Sequence, residues 1–162
     1  MYWASNKWVW IPFYIWLLFL LFKSFGKKTI LIALLAGAMI FLSDQVSSHL
    51  IKDLVQRPRP SHEAALAGQV HLVYEYSGGP FGFISSHAAN SFALCFFLVL
   101  VSMRKLRGMK VALWCYAFLI SYSRIYLGVH YPGDVLGGIV LGLLLGALFA
   151  SIYQILIKKL NL

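Results

Sequence analysis

The sequence predicts an all-α integral membrane bundle of five spanning helices, folded as one domain over residues 1–162. Hydrophobic residues make up 60% of the chain and charged residues only 12%, against roughly 25% charged in a water-soluble domain. Mean hydropathy is +0.78. The cations cluster at the ends of five apolar runs. A backbone facing lipid must satisfy its hydrogen bonds within its own segment, which makes helix the form these runs take.

The first run is Trp8–Phe22. No A-x-A-like cleavage site follows it before Lys23 and Lys27-Lys28, so it reads as a retained anchor. Trp3, Trp8 and Trp10 fit an interfacial aromatic belt. The second run, Thr29–Leu54, contains Asp44, Ser48 and Lys52 at i, i+4 and i+8, which puts them on one helix side. An acid inside a spanning segment is costly, and Asp44 is expected to partner a nearby cation. The remaining runs are Ala88–Ser102, Val111–Tyr126 and Val135–Ile157. Crossing the hydrocarbon takes about 20 helical residues. The first, third and fourth runs are slightly short and are extended by flanking aromatics and glycines. Gly137, Gly138, Gly142 and Gly146 mark the last helix as a tightly packed inner one, because small residues let helices approach closely. Cys95 and Cys115 lie within apolar runs and read as small buried hydrophobes. Between the second and third runs, the stretch from Arg57 to Ser86 contains Pro58, Pro60, Pro80 and Ser77-Gly78-Gly79, and cannot be a further span. So long a loop in so small a protein is often functional.

The formal charge is +9, from 14 Lys and Arg against 5 Asp and Glu. A nucleic-acid-binding domain would show these cations on a polar face; here they cap apolar segments, which argues against a nucleic-acid partner. One set of segment ends carries Lys23, Lys27, Lys28, Arg104, Lys105, Arg107, Lys110, Lys158 and Lys159. The opposite set carries Lys7, Lys52, Arg57, Arg59 and Arg124. The richer side is expected to be cytoplasmic.

Three polar stretches then share the external face: Lys52–Pro60 (KDLVQRPRP), Ile84–His87 (ISSH) and Ser123–Asp134 (SRIYLGVHYPGD). A phosphoryl group in transfer needs positive charge dispersed around its equatorial oxygens. Lys52, Arg59 and Arg124 can supply it, the arginines with bidentate geometry. Ser85 stands before a helix, where free backbone N–H groups favour an anion; its hydroxyl can donate to that anion or cap the helix. His130 and Asp134 are four residues apart. A carboxylate there can orient one imidazole nitrogen and leave the other free to attack phosphorus, or it can serve only as the anion at a helix start. His87 is then available as the general acid.

These stretches resemble the signatures of the type 2 phosphatidic acid phosphatase family, whose wider superfamily includes vanadium-dependent haloperoxidases. The family pattern is K-x6-RP, PSGH and SR-x5-H-x3-D. Here Lys52…Arg59-Pro60 and Ser123-Arg124…His130…Asp134 are intact, whereas Ile84 and Ser86 replace the proline and glycine of the second signature. The resemblance implies a lipid phosphatase in which His130 forms a phosphohistidine, Asp134 orients it and His87 acts as acid and then base. Lys52, Arg59, Ser85, Ser86 and Arg124 would bind phosphate, and neither metal nor other cofactor is implied. Such proteins usually have six spans, with the first signature after the third; this chain offers two before Lys52, so a leading helix is expected to be missing. The resemblance further implies a bacterial inner membrane and an external active site. By family habit the substrate would be a polyprenyl diphosphate such as undecaprenyl diphosphate, with phosphatidate, phosphatidylglycerophosphate and lipid A 1-phosphate as competitors. Vanadate-dependent halide oxidation fits poorly, since those relatives are soluble and larger. The altered second signature also admits a non-catalytic binder or transporter of lipid phosphates. His49, His62, His71, Glu63 and Glu75 lie in or near the external loop and are expected to be mostly solvated, with one or two reaching a headgroup. Oligomeric state is not encoded in any of these features.

Overall fold

A computed structural model describes residues 1–102 and 107–160, without the side chain of Arg107. Arg104 and Lys105, assigned above to the cation-rich side, lie outside the described residues, as does the Arg107 side chain. The helices are α1 (Ile11–Phe25), α2 (Lys28–Gln45), α3 (Lys52–Val55), α4 (Ser86–Ser102), α5 (Arg107–Tyr126) and α6 (Pro132–Lys159). A π-helical segment, Val46–Ile51, joins α2 to α3, making one continuous rod of 28 residues from Lys28 to Val55. Five rods result, one for each apolar run. Three are long and apolar enough to cross a membrane: Lys7–Phe25, Lys28–Val55 and Pro132–Lys159. Helix α4 is apolar but shorter.

The core lies between α4 and α6. Gly138, Gly142 and Gly146 recur every fourth residue along α6 and bring its backbone against α4. A β-carbon at Gly142 would stand 2.5 Å from the Ala89 carbonyl oxygen, and one at Gly138 would stand 2.5 Å from that of Ser85. The expectation of a close-packed last helix thus has a structural basis: the glycines admit the α4 backbone itself. Phe92, Phe97, Leu98, Leu145 and Phe149 complete this buried core. Outward-facing positions stay apolar, including Phe19, Leu34, Phe41 and Leu144, as required of surfaces in contact with lipid tails.

Two expectations are corrected. Trp3 and Trp8 are exposed, but Trp10 turns inward, donating its indole N–H to the Ala4 carbonyl at 2.8 Å and meeting the Tyr116 ring edge-on. Cys95 is buried as expected, whereas Cys115 faces outward.

The segment from Arg57 to Ser85 holds three short 3-10 turns, Pro60–His62, Ala64–Leu66 and Val73–Glu75, and is closed by pairing of its ends. Pro58 and Phe81 form an antiparallel bridge, with Arg59 N–H donating to Pro80 O at 3.1 Å and Gly82 N–H to Arg57 O at 2.9 Å. The Ser85 N–H donates to Asp134 O at 2.9 Å. These bonds tie the first signature to the loop before the second, and the second to the third.

Candidate active site

Each polar stretch is delivered by a helix end. Lys52 stands at the end of the long α2–α3 rod, where its ammonium donates to Ser86 Oγ at 2.8 Å. Ser86 and Ser48 hydroxyls are 2.9 Å apart, and Ser48 donates to Asp44 Oδ1 at 3.4 Å. One consistent proton direction therefore runs from Lys52 through Ser86 and Ser48 to Asp44. The nearby cation expected for Asp44 is Lys52, which Asp44 reaches through these two hydroxyls.

Arg59 is 8% exposed and is held by the paired loop. Its Nε donates to Phe81 O at 2.9 Å and its Nη1 to Val129 O at 3.4 Å. Gly78 closes over the guanidinium with φ +69°; a β-carbon there would lie 2.6 Å from Arg59 Nη1. Burial, and next the like charge of Arg124, pull the Arg59 pKa below its ordinary value. Bringing two guanidiniums together in a poorly solvated place is unfavourable unless an anion joins them.

Arg124, at the end of α5, is 2% exposed, with Nη2 donating to the Tyr76 hydroxyl at 3.2 Å and Nε unpaired. Tyr76 also presents its ring to the guanidinium at 5.4 Å. His130 follows in the turn between α5 and α6 and is 3% exposed. Pro132 and Asp134 open α6, with Asp134 Oδ2 accepting the Tyr131 N–H at 2.8 Å in a capping box.

His130 Nδ1 lies 3.6 Å from Asp134 Oδ2. That is longer than a hydrogen bond, and Nδ1 has no hydrogen-bond partner among the described residues. The other carboxylate oxygen accepts from Arg57 Nη1 at 3.1 Å, and the Arg57 guanidinium stacks over Tyr131 at 4.2 Å. Burial pushes the His130 pKa down to about 4, aided by Arg59 and Arg124, while Asp134 pulls it upward. The ring is therefore neutral at physiological pH, with an unprotonated nitrogen available.

Lys52, Arg59, Ser86, His87, Arg124 and His130 all line one cavity of ≈ 630 Å³. The three signature cations, two imidazoles and a hydroxyl thus converge on one space, which Lys7 also lines. Ser85 and Asp134 are fully buried behind it. The Ser85 hydroxyl caps α4, accepting the Ala88 N–H at 3.4 Å, and its own O–H is left to donate. Ile84 packs against α6 at Gly137, where a β-carbon would meet its Cγ2 at 2.6 Å.

His49, His62, His71 and Glu75 are exposed and Glu63 is half-buried, and none of these five lines this cavity. Tyr76 does line it, although nothing separates it in sequence from the chain's other tyrosines. Arg57 was equally unmarked, lying two residues before the signature arginine. A cation beside a proline at a helix end was its only signal.

The PAP2 superfamily model matches residues 28–158. The chain belongs to the PAP2 superfamily. It is 40% identical to a lipid A 4'-phosphatase of Bacteroides thetaiotaomicron over 97% of its own length and 70% of that protein. It is 35% identical to a lipid A 4'-phosphatase of Porphyromonas gingivalis, covering 94% of this chain and 64% of that one. Against phosphatidylglycerophosphatase B of Bacillus subtilis, identity is 35% over 66% of this chain and 51% of the relative. A solved transmembrane PAP2-type phosphatidylglycerolphosphate phosphatase from Bacillus subtilis superposes with TM-score 0.58 and 26% identity, covering 89% of this chain and 70% of that one. By family this PAP2 chain is a membrane lipid phosphatase with an all-helical fold.

Proposed function

We propose that the protein hydrolyses the phosphate monoester of a saccharide-bearing lipid of the lipid A type through a phosphohistidine on His130. The two lipid A 4'-phosphatases among its relatives support a glycolipid phosphate over the undecaprenyl diphosphate expected from family habit. The observation that carries the mechanism is the cavity shared by His130, His87 and the three cations.

In this reading Lys52, Arg59 and Arg124 take the equatorial oxygens, whose charge offsets the crowding of the cations. The free His130 nitrogen attacks phosphorus, forming the N–P bond as the P–O bond to the lipid breaks. His87 gives its proton to the departing oxygen. It then takes a proton from water, and the resulting hydroxide attacks phosphorus to release phosphate and restore His130. Asp134 steadies the imidazolium-like ring from behind. The single domain (residues 1–162) would sit in a bacterial inner membrane. Its site would open outward, because Lys23, Lys27, Lys28, Lys110, Lys158 and Lys159 lie at the other ends of the helices.

Phosphate release by the purified protein tests this against lipid A phosphates, polyprenyl phosphates and diphosphates, phosphatidylglycerophosphate and phosphatidate. The glycolipid should be turned over best, and His130→Ala should abolish release and the acid-labile phosphoenzyme. Normal turnover in His130→Ala, or tight binding of these lipids without any turnover by the wild type, refutes the mechanism.

A further inference from the structure

The cavity does not end at the anion-binding groups. Asn90 lies three residues beyond His87 on α4, and Asp44 lies one turn below Ser48 on α2; both line the continuation of the same space. Ser48 is level with Ser86, since their hydroxyls are in contact, so this second level begins immediately beneath the phosphate position. The volume of ≈ 630 Å³ is that of a site for a whole small molecule, not for a phosphate alone.

This lower wall is mixed, with Asp44, Asn90 and two tyrosine hydroxyls set among the apolar Ile40, Leu94 and Ile120. Asp44 is a carboxylate with one long hydrogen bond from Ser48. Asn90 has a buried Oδ1 that accepts no hydrogen bond from the described residues. Farther in, the hydroxyls of Tyr14 and Tyr116 meet at 2.7 Å, which uses one of their two protons and leaves the other. An isoprenoid or acyl chain would strip water from these groups and return no hydrogen bond, which is unfavourable. A ring bearing hydroxyl or amide groups donates to the carboxylate and both donates to and accepts from the asparagine.

The direction of the reaction puts the leaving group here. In-line attack from His130 sends the departing oxygen toward His87, and the α4 wall leads from His87 to Asn90 in about one helical turn.

We propose that Asp44 and Asn90 form a saccharide subsite, binding the hydroxyl- or amide-bearing ring that carries the scissile phosphate and selecting it over polyprenyl phosphates. This rests on the phosphatase reading only for the direction in which the leaving group departs. The purified full-length protein in detergent is assayed for kcat/KM on a lipid A-type disaccharide monophosphate and on a polyprenyl monophosphate. Asp44→Asn and Asn90→Ala each lower the saccharide-to-polyprenyl preference by about tenfold or more, the scale of a lost hydrogen bond to a charged or buried polar group. Equal losses on both substrates overturn the proposal, because damage passed through Ser48 and Ser86 to Lys52 would affect any phosphate. An unchanged preference overturns it too.

A binding arm separates this outcome from failure of the phosphatase reading. The dephosphorylated disaccharide lipid should bind His130→Ala protein and bind at least about tenfold more weakly when Asp44→Asn is added. If wild-type protein hydrolyses nothing, that loss still supports the subsite, and its absence refutes it.

Discussion

Arg57→Ala provides the sharpest test of how His130 is held. Arg57 Nη1 donates to Asp134 Oδ1 at 3.1 Å, and Asp134 is completely buried. The carboxylate's other close partners are the Tyr131 N–H at 2.8 Å and His130 at 3.6 Å, both on Oδ2. A hydrogen bond to a charged group contributes about 1.5–3 kcal/mol. Because the Arg57 side chain is 43% exposed, solvent screening reduces that to about 1 kcal/mol. At about 1.4 kcal/mol per factor of ten, the expected loss in kcat/KM is roughly fivefold. Loss of the stack on Tyr131, the residue that caps α6 and adjoins His130, adds to it. A second readout isolates the positioning role. Without the guanidinium, more of the carboxylate's field falls on His130, so the imidazole pKa should rise from about 4. Nitrogen-15 NMR of labelled histidine, assigned by difference with His130→Ala, follows this titration in micelles, and Arg57→Lys should restore part of both effects. An Arg57→Ala protein with unchanged kcat/KM and an unmoved His130 titration would refute the assignment of Arg57 to the Asp134–His130 pair.

Ser86→Gly restores the residue of the family signature but removes the acceptor of Lys52 and the contact with Ser48. It should raise KM several-fold for every phosphate substrate with a smaller effect on kcat; no change in KM would show that the relay does not position Lys52. Gly142→Ala places a methyl group 2.5 Å from Ala89 O and 2.9 Å from Ala93 N. The expected destabilisation is about 1–3 kcal/mol, read as a lower melting temperature in detergent, and an unaltered temperature would contradict the α4–α6 contact. For pH, burial sets the His130 pKa at about 4 in the folded protein, below its ordinary 6.5. Between those values the unfolded chain binds the extra proton, so folded stability should fall as pH drops from 6.5 toward 4. His130 itself should stay neutral at pH 5, and a titration near 6.5 in the NMR experiment would oppose this.

The relation between sequence and structure differs from group to group. Five apolar runs became five helical rods because in lipid the backbone has no other partner for its hydrogen bonds, and this local rule leaves the chain little choice. The residues of the cavity were also readable, since cations, imidazoles and a carboxylate at the ends of apolar segments are costly unless used. Asp44 was visible as an anomaly, and the nearby cation expected for it, Lys52, lies two hydroxyls away. Periodicity places it on the same helix side as Lys52, yet only the position of α4 shows that Ser86 intercepts the ammonium.

What the amino-acid order determined by itself is the membrane character of the chain, its helix count and the chemical types gathered at one set of helix ends. Only the tertiary structure decided that Arg57 rather than a nearer group neutralises Asp134, that Ser85 turns away while Ser86 faces the cavity, and that Tyr76, Asn90 and Asp44 share its walls. The physical reason is that these helices are apolar nearly all round, so hydropathy carries little information about which face meets which neighbour. That choice is made by backbone approach at Gly138, Gly142 and Gly146 and by the pairing of Pro58 with Phe81. Both depend on residues far apart in the chain, and neither leaves a periodic mark in it.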